Sequence, residues 1–245
     1  MQSLALLFSL VTAGALISGL TGMGGGTLIL AGLLMVYPPE LAIPLHSFTQ
    51  LTANVLRAGI HLKSINWKVV AFYASLMLPF AWIAARIFDF INPSWLKILV
   101  GVFILFSVMP FRFKPRGEPS YGTFIILGAL SGFLGVFVGA VGPMVMPFFN
   151  RLNLSRDGML STKSAGQGVL QISKILAFSG AAGISFMEFK GPVGLLMLGS
   201  LLGVLLSIPV GRKISDDKFN QAINVLMAMI AIKVLIEGAR ELLSA

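Results

Sequence analysis

Apolar residues along this chain come in blocks rather than at the intervals of an amphipathic pattern. Six blocks reach or approach the roughly 20 apolar residues that a helix needs to cross a hydrocarbon core of about 30 Å. They cover 41–63, 67–88, 94–111, 157–180, 189–211 and 218–240. Two further blocks, 4–36 and 120–150, are too long for a single crossing. Gly22-Met-Gly-Gly-Gly26 interrupts the first and Gly139-Ala-Val-Gly-Pro143 the second. Helix propensity falls at both places, since Gly costs about 1 kcal/mol and interior Pro about 3. Each long block is therefore predicted to form a helical hairpin with one longer and one shorter arm. The expected fold class is an all-α integral membrane protein.

The order of a broken hairpin followed by three spans occurs twice. A shift of 117 residues lays Gly22 on Gly139, Gly25 on Gly142, Gln50 on Gln167, Asn54 on Gln171 and Arg57 on Lys174, without gaps through the first span. Agreement in polar residues inside apolar helices is hard to attribute to composition, so the chain divides into repeats at 1–117 and 118–245. Arg112 to Pro119 is the linker-like stretch between them. A hairpin contributes an even number of crossings and three spans an odd number, so the second repeat should enter the membrane from the opposite side.

Charge tests that orientation. Of 18 Lys and Arg residues, eleven fall on the inner side if both termini are outside: Lys63, Lys68, Arg112, Lys114, Arg116, Arg151, Arg156, Lys163, Arg212, Lys213 and Lys218. Four fall outside, at Arg86, Lys97, Lys190 and Arg240. This obeys the positive-inside rule and favours inverted repeats, whereas making each broken block one crossing puts basic loops on both faces. No Lys or Arg precedes Arg57, so the basic start of a cleaved signal peptide is missing and the first block is expected to belong to the mature protein.

Composition narrows the function. With 56% hydrophobic and 11% charged residues and a mean hydropathy of +0.91, a water-soluble enzyme is excluded. The net charge of +9 fits basic loops beside anionic lipid rather than nucleic acid. Cysteine does not occur, which removes thiolate metal sites and cysteine nucleophiles. There is no Walker loop, no HExxH pair and no serine elbow, and no metal or cofactor is expected. The acidic residues lie at or near helix ends or in loops, so a buried carboxylate relay is missing and cation transport is disfavoured.

Polar residues inside the spans are the functional candidates, because they are costly there unless they face a cavity. His46, Gln50, Asn54, Arg57 and His61 follow at steps of 4, 4, 3 and 4, which places them on one helical face. Lys163, Gln167, Gln171 and Lys174 repeat the stripe at steps of 4, 4 and 3. If the repeats are related by a two-fold axis in the membrane plane, the stripes can face one another and enclose two cations, Arg57 and Lys174, with four amides. Amides can replace the water shell of a small oxyanion, and an arginine fork suits such an anion. The glycine breaks at Gly22, Gly24, Gly25 and Gly26, and at Gly139, Gly142 and Pro143, would start half-helices whose free N–H groups favour anions. Other readings stand beside these: glycines for close helix packing and amides for helix association, snorkelling cations. Either histidine could take up a proton. An anion leaving an inside-negative cell gains about 2.3 kcal/mol per charge per 100 mV, so facilitated export is physically sufficient.

The glycine break followed by Leu28 to Met35, then Pro38-Pro-Glu-Leu-Ala42, Asn54 and His61-Leu-Lys63 leading into Asn66-Trp67, resembles the TauE/SafE family of sulfite and organosulfonate exporters. The resemblance covers the whole chain and implies a multi-pass protein of the bacterial inner membrane that moves sulfite, thiosulfate or small sulfonates. It points to Gly22, Gly24, Gly25, Gly26, Pro39, Ala42, Ser47, Asn54, His61 and Trp67. The chain departs from the family at Pro44-Leu-His-Ser47, where Gly-Thr-Ser is frequent, and in its reduced second glycine cluster. The expected function is export of a small sulfur oxyanion by alternating access. A non-transporting membrane scaffold and an anion channel are the alternatives, and oligomeric state is open.

Overall fold

The computed structural model describes residues 2–21, 25–109, 117–210 and 217–244. Gly22, Gly24, most of the inter-repeat linker and the basic residues Arg212 and Lys213 lie outside these. Every regular element among the described residues is helical: α1 Gln2–Thr21, α2 Gly25–Leu33, α3 Pro39–Ile60, α4 Trp67–Ala74, α5 Met77–Phe88, α6 Pro93–Val108, α7 Tyr121–Val138, α8 Gly142–Phe149, α9 Arg156–Gly180, α10 Lys190–Val210 and α11 Asp217–Ser244.

Local chemistry sets many of these bounds. Asn66, Asn92, Ser120 and Ser155 accept hydrogen bonds from the first turns of α4, α6, α7 and α9, and prolines occupy the first turns of α3 and α6. The expected single span 67–88 is interrupted between α4 and α5. Ser75 Oγ donates to the Phe72 carbonyl at 2.8 Å. Pro79 has no N–H for the Ser75 carbonyl and its ring crowds that group, so the helix breaks there. Among the described residues three stretches, Trp67–Phe88, Tyr121–Val138 and Phe186–Pro209, are long and apolar enough to cross a membrane. α3 and α9 have the length, at 22 and 25 residues, but carry the polar stripes. Large apolar residues such as Leu6, Ile83, Val102, Ile126, Leu198 and Ile232 are exposed on the outside of the bundle, as lipid contact requires.

The helices pair as α1 with α10, α4 and α5 with α7, α3 with α9, and α6 with α11. Close backbone approach through glycines holds the first two sets. A Cβ on Gly128 would lie 1.9 Å from the Tyr73 carbonyl, one on Gly132 2.3 Å from that of Met77, and one on Gly203 2.3 Å from that of Thr12. The ascending pairs show that α7 runs parallel to α4 and α5. Gly199 against Phe8 and Gly203 against Thr12 make α10 parallel to α1 in the same way. α2 returns along α1, with Gly32 on Leu10 and Gly14 on Ile29. α8 returns along α7, with the Phe149 and Phe124 rings 5.2 Å apart.

α3 ends where α4, α7 and α9 begin. There His61 Nε2 lies 3.9 Å from Asp157 Oδ2, and Lys68 Nζ sits 4.5 Å above the Tyr121 ring. Exposed Lys63, Lys68, Arg151 and Arg156 surround this end. At the opposite end Lys97 Nζ and Ser94 Oγ both donate to Glu241, joining α6 to α11; the charge-assisted bond from Lys97 holds the Glu241 carboxyl below its usual range. Lys233 and Glu237 form an i, i+4 pair at 3.7 Å.

Candidate anion site

Because α3 and α9 pack antiparallel, their polar stripes run in opposite directions along a shared seam. A cavity of about 570 Å³ opens between them. Ile60, His61, Asp157 and Leu160 form its mouth; Arg57, Asn54 and Gln50 line one wall, and Lys163, Gln167 and Gln171 the other. His46, Gly26, Thr27 and the stretch Ala140, Val141, Gly142 and Pro143 close the deep end. Arg57 and His46 are separated by three helical turns, or about 16 Å along α3. The four amides and Lys163 are buried, and His46 and Lys174 are 0% exposed.

The cations pair differently from the expectation. Arg57 and Lys174 do not face one another across the cavity. Opposite chain directions bring Arg57 level with Lys163, and His46 level with Lys174, each pair near enough for charge to be felt between its members. Lys174 lies just behind the cavity rather than in its lining. Its Nζ donates to the Gly139 carbonyl at 2.9 Å and to Gln171 Oε1 at 3.4 Å. Lys163 Nζ reaches Met146 Sδ on α8 at 3.4 Å. Arg57 is the unsatisfied member: its Nε and Nη2 are buried with no hydrogen-bond acceptor. A buried donor without a partner typically costs about 1–3 kcal/mol, and more when charged.

The glycine breaks meet the site at particular atoms. Gly26 lies so near Gln50 that a Cβ would come within 2.8 Å of Gln50 Oε1. Its carbonyl accepts from His46 Nε2 at 2.8 Å. Gly25 packs on Ser18 instead, where a Cβ would come within 2.1 Å of the serine Cβ. Gly139 has φ +74°, a left-handed conformation that side chains disfavour, and a Cβ there would press on Leu30 at 2.7 Å. The start of α8 is open, since a Cβ on Gly142 would meet nothing within 4 Å. His61 stands at the mouth beside Asp157 rather than in the interior.

Tyr73 is a contributor that sequence reasoning missed. Its hydroxyl accepts from Gln167 Nε2 at 2.8 Å and pairs with Ser131 Oγ at 2.8 Å, so it aims one of the lining amides. An apolar span with a single tyrosine gives no sign of this, because the partners lie 58 and 94 positions away in the chain. Among the described residues no three His, Cys, Asp or Glu side chains gather to hold a metal ion.

Bundle, lipid-exposed surface and enclosed basic cavity together define a multi-pass membrane protein with an interior polar site. The sequence model of the family described as Sulfite exporter TauE/SafE matches residues 6–234 of the 245, and the chain belongs to that family. The family is one of transporters rather than enzymes. Neither a search of the curated proteins nor one of the solved structures returns a match.

Proposed function

We propose that this protein exports a small sulfur oxyanion, sulfite or an organosulfonate, across the bacterial inner membrane by alternating access at a site between two inverted repeats, 1–117 and 118–245. The observation that carries the reading is the Arg57 guanidinium, buried with two unpartnered donors beside Lys163 in an amide-lined cavity. Among the described residues the acidic one that lines this cavity is Asp157, at the mouth beside His61. The buried Nε and Nη2 donors of Arg57 have no acceptor in the protein, and a dissolved anion supplies one. Arg57 and Lys163 would then offset the charge. Gln50, Asn54, Gln167 and Gln171 would exchange hydrogen bonds with the anion's oxygens, while Lys174 and His46 would hold the deep end against the two breaks. At about 30 Å³ per water, the cavity accommodates a small sulfonate with part of its hydration shell.

The packing pattern supports inversion. Exchanging the halves turns the α1–α10 contact into that of α7 with α4 and α5, and leaves α3–α9 and α6–α11 as they are. An antiparallel α3–α9 pair is what a two-fold axis in the membrane plane requires; an axis along the membrane normal would make it parallel. Lys63, Lys68, Arg151 and Arg156 surround the mouth, so by the positive-inside rule the cavity faces the cytoplasm and both termini lie outside. Beyond the deep end, Phe88 packs edge-on against Phe178 at 5.2 Å and Gly180 sits under the Trp82 ring. Alternating access would have to part those contacts.

The test is flux in proteoliposomes. Arg57→Ala should cut saturable sulfite or thiosulfate transport by about 10-fold or more, the loss expected for one charge-assisted hydrogen bond, with the variant still monodisperse in detergent. Undiminished flux in that variant rules the site out. Counterflow separates a carrier from a channel, and a wild-type protein that neither binds nor moves these anions would be a scaffold.

A further inference from the structure

We propose that His46 takes up one proton when an anion occupies the cavity, so that anion and proton bind together at its deep end. The inference rests on the anion reading above and deepens it by naming the ion that is coupled. It begins with which ring nitrogen is free. Nε2 lies 2.8 Å from the Gly26 carbonyl, and a carbonyl can only accept, so Nε2 carries a hydrogen. The open lone pair is therefore at Nδ1, which is buried and makes no hydrogen bond on a residue that lines the cavity and is 0% exposed; the Gly139 carbonyl also lies close to the ring. An oxyanion placed beside Nδ1 meets lone pair against lone pair. If the ring gains a proton, Nδ1–H becomes a donor and the contact a charge-assisted hydrogen bond.

The surroundings make this uptake conditional on the anion. The charged group that acts on His46 is Lys174 of α9. The other elements about it offer no second one: α1 and α2, the break at 139–141 and residues 191–210 of α10 contain no ionisable side chain. On α6, Lys97 is engaged with Glu241 at the far end, and on α7 Tyr121 lies at the mouth end under Lys68. An imidazolium beside the Lys174 ammonium is opposed by like charge, and an anion between them removes that opposition. In the bound state His46 would donate through Nε2 to Gly26 and through Nδ1 to the anion. The step is a plain protonation: one N–H bond forms as an O–H bond breaks in hydronium from the bulk solution, leaving water, or in the anion's conjugate acid, leaving the anion. The proton leaves again when the anion departs. An anion accompanied by a proton moves one fewer net negative charge, so the pH difference across the membrane joins the potential in setting direction.

The experiment uses the full chain in detergent, weakly buffered, with a pH-indicating dye and a calorimetric binding measurement. Thiosulfate and methanesulfonate serve as probes because neither exchanges protons with water near neutral pH. Wild type should take up one proton per anion bound, and affinity should fall about tenfold for each unit of pH rise where the coupling operates. His46→Gln, whose amide can still donate to Gly26, should bind through Arg57 and Lys163 with neither proton uptake nor pH slope. Anion binding by wild type without proton uptake overturns the proposal, and that measurement needs no variant. Proton uptake that persists in His46→Gln and disappears in Lys174→Gln overturns it too, by placing the proton on the lysine. If wild type binds no sulfur anion at any pH, the anion reading itself falls and this one with it.

Discussion

Tyr73 offers a residue-scale check on the amide lining that leaves its charges untouched. Tyr73→Phe deletes the hydroxyl that Gln167 Nε2 and Ser131 Oγ both reach. Each is left buried and unpaired, at about 1–3 kcal/mol apiece. The variant should melt several degrees lower in detergent, and sulfite should stabilise it less than it stabilises wild type; unchanged melting with unchanged stabilisation would show that Tyr73 does not hold Gln167. At this scale the stripe residues were legible in sequence because a polar side chain every third or fourth position stands out against apolar neighbours. Their partners were not. Pairing Arg57 with Lys174 followed from repeat equivalence, whereas the antiparallel seam sets Arg57 beside Lys163, since position along a helix decides what a side chain meets across it.

Two glycines on different elements should behave in opposite ways when enlarged. At Gly26 an added Cβ meets the end of a flexible side chain, Gln50 Oε1 at 2.8 Å; at Gly128 it meets the Tyr73 carbonyl at 1.9 Å. The glutamine can turn aside and the backbone cannot. Gly26→Ala should therefore remain monodisperse in detergent while binding sulfur anions several-fold more weakly, and Gly128→Ala should lose much of its folded yield; size-exclusion profiles and a ligand-stabilisation assay check both. The hairpins and spans were legible as elements because block length and clustered Gly and Pro act locally. The break between α4 and α5 was not. Hydropathy runs unbroken through Ser75, and only backbone hydrogen bonding at Pro79 reveals it.

For the molecule as a whole, orientation can be read by labelling, since the chain contains no cysteine and any thiol introduced is unique. Lys63→Cys should react with a membrane-impermeant maleimide only from the cytoplasmic side, and Arg86→Cys only from outside. Ser161→Cys, on the cavity wall, should react from the cytoplasmic side and be protected by sulfite. Labelling of Lys63→Cys and Arg86→Cys from one and the same side would remove the topology on which the export reading depends.

Some of this follows from the order of residues alone: an all-helical membrane protein, two glycine breaks and a repeated polar stripe. Those properties come from hydropathy, helix propensity and periodicity, which act between near neighbours in the chain. Tertiary structure decided the rest: which cations stand together, that Lys174 is spent on the Gly139 carbonyl while Arg57 keeps two donors free, that Tyr73 aims Gln167, and that Nδ1 of His46 is left open. Each depends on which side chain a neighbouring element brings to the same level, and so on contacts between positions far apart in the chain, 94 residues in the case of Tyr73 and Gln167, that no local pattern encodes.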